Sequence, residues 1–191
     1  MATEPVDPIC AMRRRLAAGI ALAPMMPLLP QAARAAAPDA GERALALHHT
    51  HTGERLRVVY FADGDYVPES LRELQWLLRD FRTGAAHPID SGLYDTLHAL
   101  AACCGGGAFE IVSAYRSPQT NAMLRKSSHG VAEHSLHIEG RAIDIRLARV
   151  DTARLRDAAI ALGRGGVGFY PQADFIHVDT GRFRTWGPSA G

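Results

Sequence analysis

Asp144 restricts the fold of this chain more than any other residue. It stands in the run Ala142-Ile143-Asp144-Ile145-Arg146-Leu147, which alternates like a strand. Ala142, Asp144 and Arg146 face one way, and Ile143, Ile145 and Leu147 the other. A carboxylate in the middle of an apolar strand needs a partner, because burying it unpaired is very costly. Arg141 and Arg146 are the bland candidates, and His137 is the informative one. His137 precedes Asp144 across Gly140, a residue free to take the positive φ that a tight reversal between the two requires. A second apolar segment, Phe175-Ile176-His177-Val178-Asp179, offers another imidazole at His177, flanked by Asp174 and Asp179.

Two histidines and one aspartate can hold zinc with its fourth position open, the arrangement of a hydrolytic site. Each of these histidines alone would more often be a satisfied core or surface residue, so the argument rests on the spaced set His137, Asp144 and His177. A zinc ion there would bring the pKa of a bound water toward neutrality and polarise a substrate carbonyl. A nearby carboxylate must then take the water's proton and return it to the leaving amine. On an extended segment His177 and Asp179 share a face and Asp174 has the opposite parity, which predicts Asp179 as the base and Asp174 as second choice. Arg116 follows the strand-like run Phe109–Tyr115, at a strand end where it could stabilise the oxyanion that develops on the carbonyl.

The rest of the chain predicts one α+β domain with a largely antiparallel central sheet, since strands and helices alternate irregularly with short connections. Residues 44–61 alternate about His51-Thr52-Gly53-Glu54, a hairpin turn. His48, His49 and His51 suggest a second metal cluster, but no acid or cysteine completes one. Ser70 and Glu73 have capping-box spacing, and Leu71, Leu74, Leu77, Leu78 and Phe81 continue a helical stripe ending near Gly84. A second helix starts at Asp90 or Ser91, buries Leu93, Leu97 and Leu100, and stops at Gly105-Gly106-Gly107. That glycine run lacks the Lys-Ser/Thr of a phosphate loop. Ser117 and Pro118 open a short helix over residues 120–126. Further helical spacing covers Asp151 to Leu162, a strand follows through Val167, Phe169 and Tyr170, and Arg184-Thr185-Trp186 forms a short edge piece.

The N-terminus differs in kind. Met12-Arg13-Arg14-Arg15 opens an alanine-rich apolar run to Met26, and Ala33-Arg34-Ala35 has the small-x-small pattern of a cleavage site. The run is too short and proline-rich to predict a membrane span, although a helix packed on the domain is the competing reading. These features predict a twin-arginine-like export signal over residues 1–35, with Met12 a candidate start, and one domain over residues 36–191. Four of the 21 basic and two of the 20 acidic side chains precede residue 36, which leaves that domain a net charge of about −1. A near-neutral surface offers nucleic acid no basic footprint. Cys10 lies before the arginine-led apolar run, and adjacent Cys103 and Cys104 make no disulfide framework.

Together, Ser135-x-His137-x-x-Gly140-x-Ala142-x-Asp144, the preceding Ser113-Ala114-Tyr115-Arg116-Ser117 and the following Phe175-Ile176-His177-Val178-Asp179-Thr180-Gly181 resemble the zinc peptidases of the D-alanyl-D-alanine peptidase superfamily. Within it the chain is most similar to the exported murein endopeptidases called YcbK-like or MepK-like, over about residues 45–186. The resemblance includes Gly165-Gly166-Val167-Gly168-Phe169-Tyr170-Pro171 and the export signal. It implies a Hedgehog-like zinc peptidase fold over residues 36–191, Zn²⁺ held by His137, Asp144 and His177, and Arg116 as the substrate-orienting arginine. It further implies a periplasmic monomer that cleaves peptide cross-links of peptidoglycan at meso-diaminopimelate bonds. Many superfamily members carry a Glu where this chain has Asp174, a shorter side chain, which leaves Asp179 as the expected base. A carboxypeptidase trimming terminal D-Ala, or a metal-stabilised cell-wall binding module without catalysis, would preserve the same ligands.

Overall fold

The computed structural model describes residues 41–127 and 132–188. The predicted export signal lies outside them. In chain order the elements are β1 (Arg43–His49), β2 (Arg55–Ala62), β3 (Asp65–Tyr66), α1 (Pro68–Leu77), α2 (Ser91–Cys103), β4 (Phe109–Ser113), α3 (Pro118–Ser127), β5 (Ala142–Leu147), α4 (Thr152–Leu162), β6 (Gly166–Tyr170), a 3₁₀ turn (Pro171–Ala173), β7 (Phe175–Asp179) and β8 (Arg184–Trp186). The strands form one open mixed sheet in the order β3-β2-β1-β4-β5-β7-β6-β8. Only the β1–β4 and β6–β8 pairs are parallel, so the sheet is largely antiparallel as expected. Among the described residues no helix is long and apolar enough to cross a membrane.

The pleat sorts the sheet into alternating rows. Ile143 pairs with Val178 and Val178 with Val167, while Ile145 pairs with Ile176 and Ile176 with Phe169. These apolar rows share one buried cluster with Leu93 and Leu97 of α2 and Leu155 and Ala159 of α4. Between them runs a row of another kind. Ser113 pairs with Asp144, Asp144 with His177, His177 with Gly168, and Gly168 with Trp186. Because side chains alternate across a strand, this row points away from the apolar cluster, and the ionisable residues of β5 and β7 become direct cross-strand neighbours.

Three local expectations are corrected. Ser70 does not cap α1. That helix starts at Pro68, whose fixed φ suits a first turn, and the Ser70 hydroxyl donates instead to Val59 O at 2.7 Å. Nor does the stripe run on to Gly84. The helix ends at Leu77, and Asp80 caps the following turn by accepting from Arg82 N at 3.0 Å. Finally, the strand expected to reach Tyr115 stops at Ser113, and the groups beyond it bond elsewhere: Tyr115 N donates to Leu78 O at 3.1 Å. By contrast, α2 and α4 start within a residue of where expected, and Asp90 and Asp151 cap them by accepting from Gly92 N and Ala153 N. The His51–Glu54 segment does turn between β1 and β2, and His49 Nδ1 accepts from the backbone N–H groups of His51 and Thr52 there.

Candidate metal centre

His137 reaches Asp144 through Gly140, which sits at φ +66°, and a side chain there would run into Pro88 O. His137 itself is 2% exposed. Its Nδ1 lies 2.6 Å from Ala114 O, an acceptor released by the early end of β4. With that N–H donated to the carbonyl, Nε2 keeps its lone pair. His177 has the opposite tautomer: its Nε2 lies 3.0 Å from Asp179 Oδ2 and donates to it, which leaves Nδ1 as the bare nitrogen.

The two bare nitrogens and one carboxylate oxygen converge. His137 Nε2 is 3.2 Å from His177 Nδ1 and 3.3 Å from Asp144 Oδ1, and His177 Nδ1 is 2.9 Å from Asp144 Oδ1. Bonds of 2.0–2.1 Å in a tetrahedron separate ligand atoms by about 3.3 Å, so the triangle fits a zinc-sized ion. Three acceptors at this spacing need a cation or a proton among them. Burial alone would raise the Asp144 pKa, but the charges and hydrogen bonds of His137 and His177 hold it far below the usual carboxylate range. Burial depresses His137, whereas the hydrogen bonds to Asp144 and Asp179 outweigh burial and raise His177. These are the paired His–carboxylate electrostatics expected where a positive charge is to be held.

Arg116 adjoins the triangle. Its Nη2 donates to Asp144 Oδ2 at 2.7 Å and lies 3.1 Å from His137 Nε2, and its Nε donates to Ser113 Oγ at 3.0 Å. Asp80 anchors the next residue, Ser117. That carboxylate, 1% exposed, accepts from Ser117 N at 2.9 Å and Ser117 Oγ at 2.6 Å, directly after Arg116. Burial would raise the Asp80 pKa, but the hydrogen bonds from Ser117 and Thr120 bring it down to about 2.

The triangle forms the floor of an open cleft of about 460 Å³, whose walls include His134, Leu136, Tyr170, Arg184 and Trp186. Neither carboxylate expected to act as base lines it. Asp179 has no exposed side-chain surface; its oxygens are occupied by His177 Nε2, by the N–H groups of Gly166 and Gly181, and by both Nη atoms of Arg184. Asp174 is exposed, sits at φ +51° beyond the 3₁₀ turn, and bonds Thr152 Oγ1 while pairing with Arg146 at 3.4 Å.

A family model described as "Peptidoglycan L,D-endopeptidase MepK" matches residues 37–186, the segment that carries the triangle, Arg116 and the cleft walls. The chain belongs to this family. The similar "Probable peptidoglycan L,D-endopeptidase MepK" of Haemophilus influenzae is 39% identical over 170 residues, covering 88% of this chain and 90% of its own. The "Peptidoglycan L,D-endopeptidase MepK" of Escherichia coli K12 is 38% identical over 184 residues, covering 95% of this chain and 100% of its own, and the relative from Shigella flexneri has the same figures. No solved structure matches the chain significantly. Beyond the residues expected from the sequence, the MepK-type site here includes Asp80, His134, Arg184 and Trp186. Asp80 lacked a signal, since its polar neighbourhood resembles a helix end. The glycines at 166 and 168, alternating within a strand, were the available cue for Arg184 and Trp186.

Proposed function

We propose that the protein is a zinc-dependent peptidoglycan endopeptidase, exported to the periplasm by the twin-arginine route, that hydrolyses peptide cross-links at meso-diaminopimelate bonds as a monomer. The observation that carries this reading is the triangle of His137 Nε2, His177 Nδ1 and Asp144 Oδ1, open to a cleft and flanked by Arg116, in a chain of the MepK family. Bound zinc would supply an activated water and a Lewis acid at that position. Asp144 and the two imidazoles would hold the ion. Ala114 O and Asp179 fix the tautomers that present the bare nitrogens, the role that outer carboxylates and carbonyls play for metal-bound histidines.

Arg116 places its guanidinium beside the ligand set, where it orients the substrate carbonyl and stabilises the negative charge that forms on its oxygen. Its guanidinium is held by Ser113 Oγ and Asp144 Oδ2, and Asp80 anchors the adjoining backbone through Ser117 N. Asp179, buried and fully engaged, supports a role in orienting His177 rather than taking a proton, and Asp174 lies outside the cleft lining. His134, an imidazole that lines the cleft outside the ligand set, is assigned as the proton carrier between water and leaving amine.

The test is digestion of purified sacculi with the metal-loaded protein, followed by mass analysis of the released muropeptides. Loss of cross-linked dimers, abolished by chelator and by His137→Ala, is expected. Intact dimers with shortened stems would replace this reading by a carboxypeptidase, and no change would replace it by a binding module. For the proton carrier, His134→Ala should lower kcat by about 10²–10⁴-fold with zinc retained; wild-type kcat would refute that assignment.

A further inference from the structure

Strand β8 is the edge of the sheet, and its two cleft-lining side chains, Arg184 and Trp186, reach inward over β6. They can do so because the β6 residues paired with them, Gly166 and Gly168, have no side chains. A Cβ at Gly166 would collide with the Arg184 guanidinium and the Asp179 carboxylate, and one at Gly168 would stand 2.5 Å from the Trp186 indole. Through this cleared lane the Trp186 ring comes within 5.1 Å of the His177 ring. Its Nε1 donates to Tyr170 Oη at 2.8 Å, and Tyr170 stacks on Phe175, so the cleft has a continuous aromatic wall.

Arg184 stands at the rim of that wall, with its guanidinium 4.9 Å from the Trp186 ring centre. Its Nη1 donates to Asp179 Oδ1 and Arg182 O, and its Nη2 to Asp179 Oδ2. A guanidinium has five N–H donors. The Nε–H and the second Nη2–H therefore have no partner among the described residues, although the side chain is 42% exposed. Among the described residues Asp144 is the one carboxylate that lines the cleft, and Arg116 and the two histidines occupy it. Asp179 takes one edge of the Arg184 guanidinium through both Nη atoms, and an anionic group entering the cleft meets the other edge, Nε–H and the second Nη2–H.

We propose that Arg184, with the Trp186–Tyr170 wall, forms the subsite for a free carboxylate carried by the substrate on a long aliphatic side chain, the chemistry of a diamino-diacid in a peptide cross-link. The methylene stem lies along the aromatic wall, and the carboxylate takes the two spare N–H groups of the guanidinium, whose planar fork suits it. The inference rests on the peptidoglycan reading and makes Arg184 a specificity-determining residue.

Two synthetic cross-linked peptides, identical except that this carboxylate is free in one and a primary amide in the other, test it with the zinc-loaded full chain. The amide should lower wild-type kcat/KM on the order of 10- to 100-fold, mainly through KM, the worth of a charge-assisted hydrogen bond. Arg184→Gln should cleave both peptides with a ratio near one, whatever rate it loses through its contact with Asp179. A variant slowed equally on both peptides, with the wild-type ratio preserved, would show a purely structural arginine and overturn the subsite. Equal wild-type rates on the two peptides would overturn the subsite alone, a result that depends on no variant folding. Wild-type cleavage of neither peptide would overturn the endopeptidase reading and the subsite with it.

Discussion

Gly168→Ala should damage the site while leaving every ligand in place. The added methyl would lie 2.5, 2.6 and 2.7 Å from Cε2, Cζ2 and Nε1 of Trp186, where carbon contacts normally settle near 3.5–4.0 Å. The indole is rigid, paired through β8 to β6 and tied by Nε1 to Tyr170, so it must retreat by about 1 Å. Overpacking of this kind costs about 1–3 kcal/mol, or about 2–10 °C in Tm for a domain of this size. The displaced ring is the neighbour of His177, and a misplacement of about 1 Å can cost roughly 10²-fold in rate. Thermal unfolding and kcat/KM on a cross-linked peptide measure the two effects. Gly163→Ala is the control. Gly163 has φ +62° with nothing within 4 Å of an added Cβ, so it should lose only the left-handed strain of about 1 kcal/mol and keep its activity. Adding Trp186→Ala should remove the Gly168→Ala penalty, giving a coupling of about 1–3 kcal/mol. An equal penalty with and without the indole, or wild-type activity in Gly168→Ala, would refute the steric argument.

Asp179→Asn should weaken zinc binding about 10- to 100-fold by loosening the His177 tautomer, measured by competition with a chromophoric chelator; unchanged affinity would remove Asp179 from the site. Asp80 has a depressed pKa of about 2 in the fold against about 3.9 in an unfolded chain. Its contribution of about 2 kcal/mol is therefore fully present above pH 4 and lost as pH falls through 2. Urea unfolding of wild type and Asp80→Asn between pH 7 and 2 should show the stability gap closing in that window, and a pH-independent gap would refute the linkage. Gly140→Ala should cost more than 1 kcal/mol and lower zinc affinity, because the turn that delivers His137 meets Pro88 O; a wild-type melting curve would contradict this.

Much of the fold was legible in the chain because its signals are local. Strand alternation in β1, β2, β5 and β7, the starts of α2 and α4 to within a residue, and the glycine stop after Leu162 depend on residues a few positions apart, and each was found where expected. That His137, Asp144 and His177 come together was legible for a related reason: an acid and a histidine in apolar strands have few satisfactory partners other than each other. The α1 boundaries were misjudged because Ser70 and Asp80 bond to residues far along the chain, Val59 and Ser117, which outweighs local capping preference.

Strand parity alone could say that Asp179 shares a face with His177. It could not say that Gly166, Gly181 and Arg184 close around that carboxylate and leave its side chain no exposed surface. Nor could it show that Ser113, Asp144, His177, Gly168 and Trp186 form one row across five strands. Composition and short-range pattern determine which segments become strands and helices and which residues are candidate ligands. Which side chains meet across the sheet, and hence which acid is buried and which arginine faces the cleft, follows from inter-strand register, a property no single segment of the chain contains.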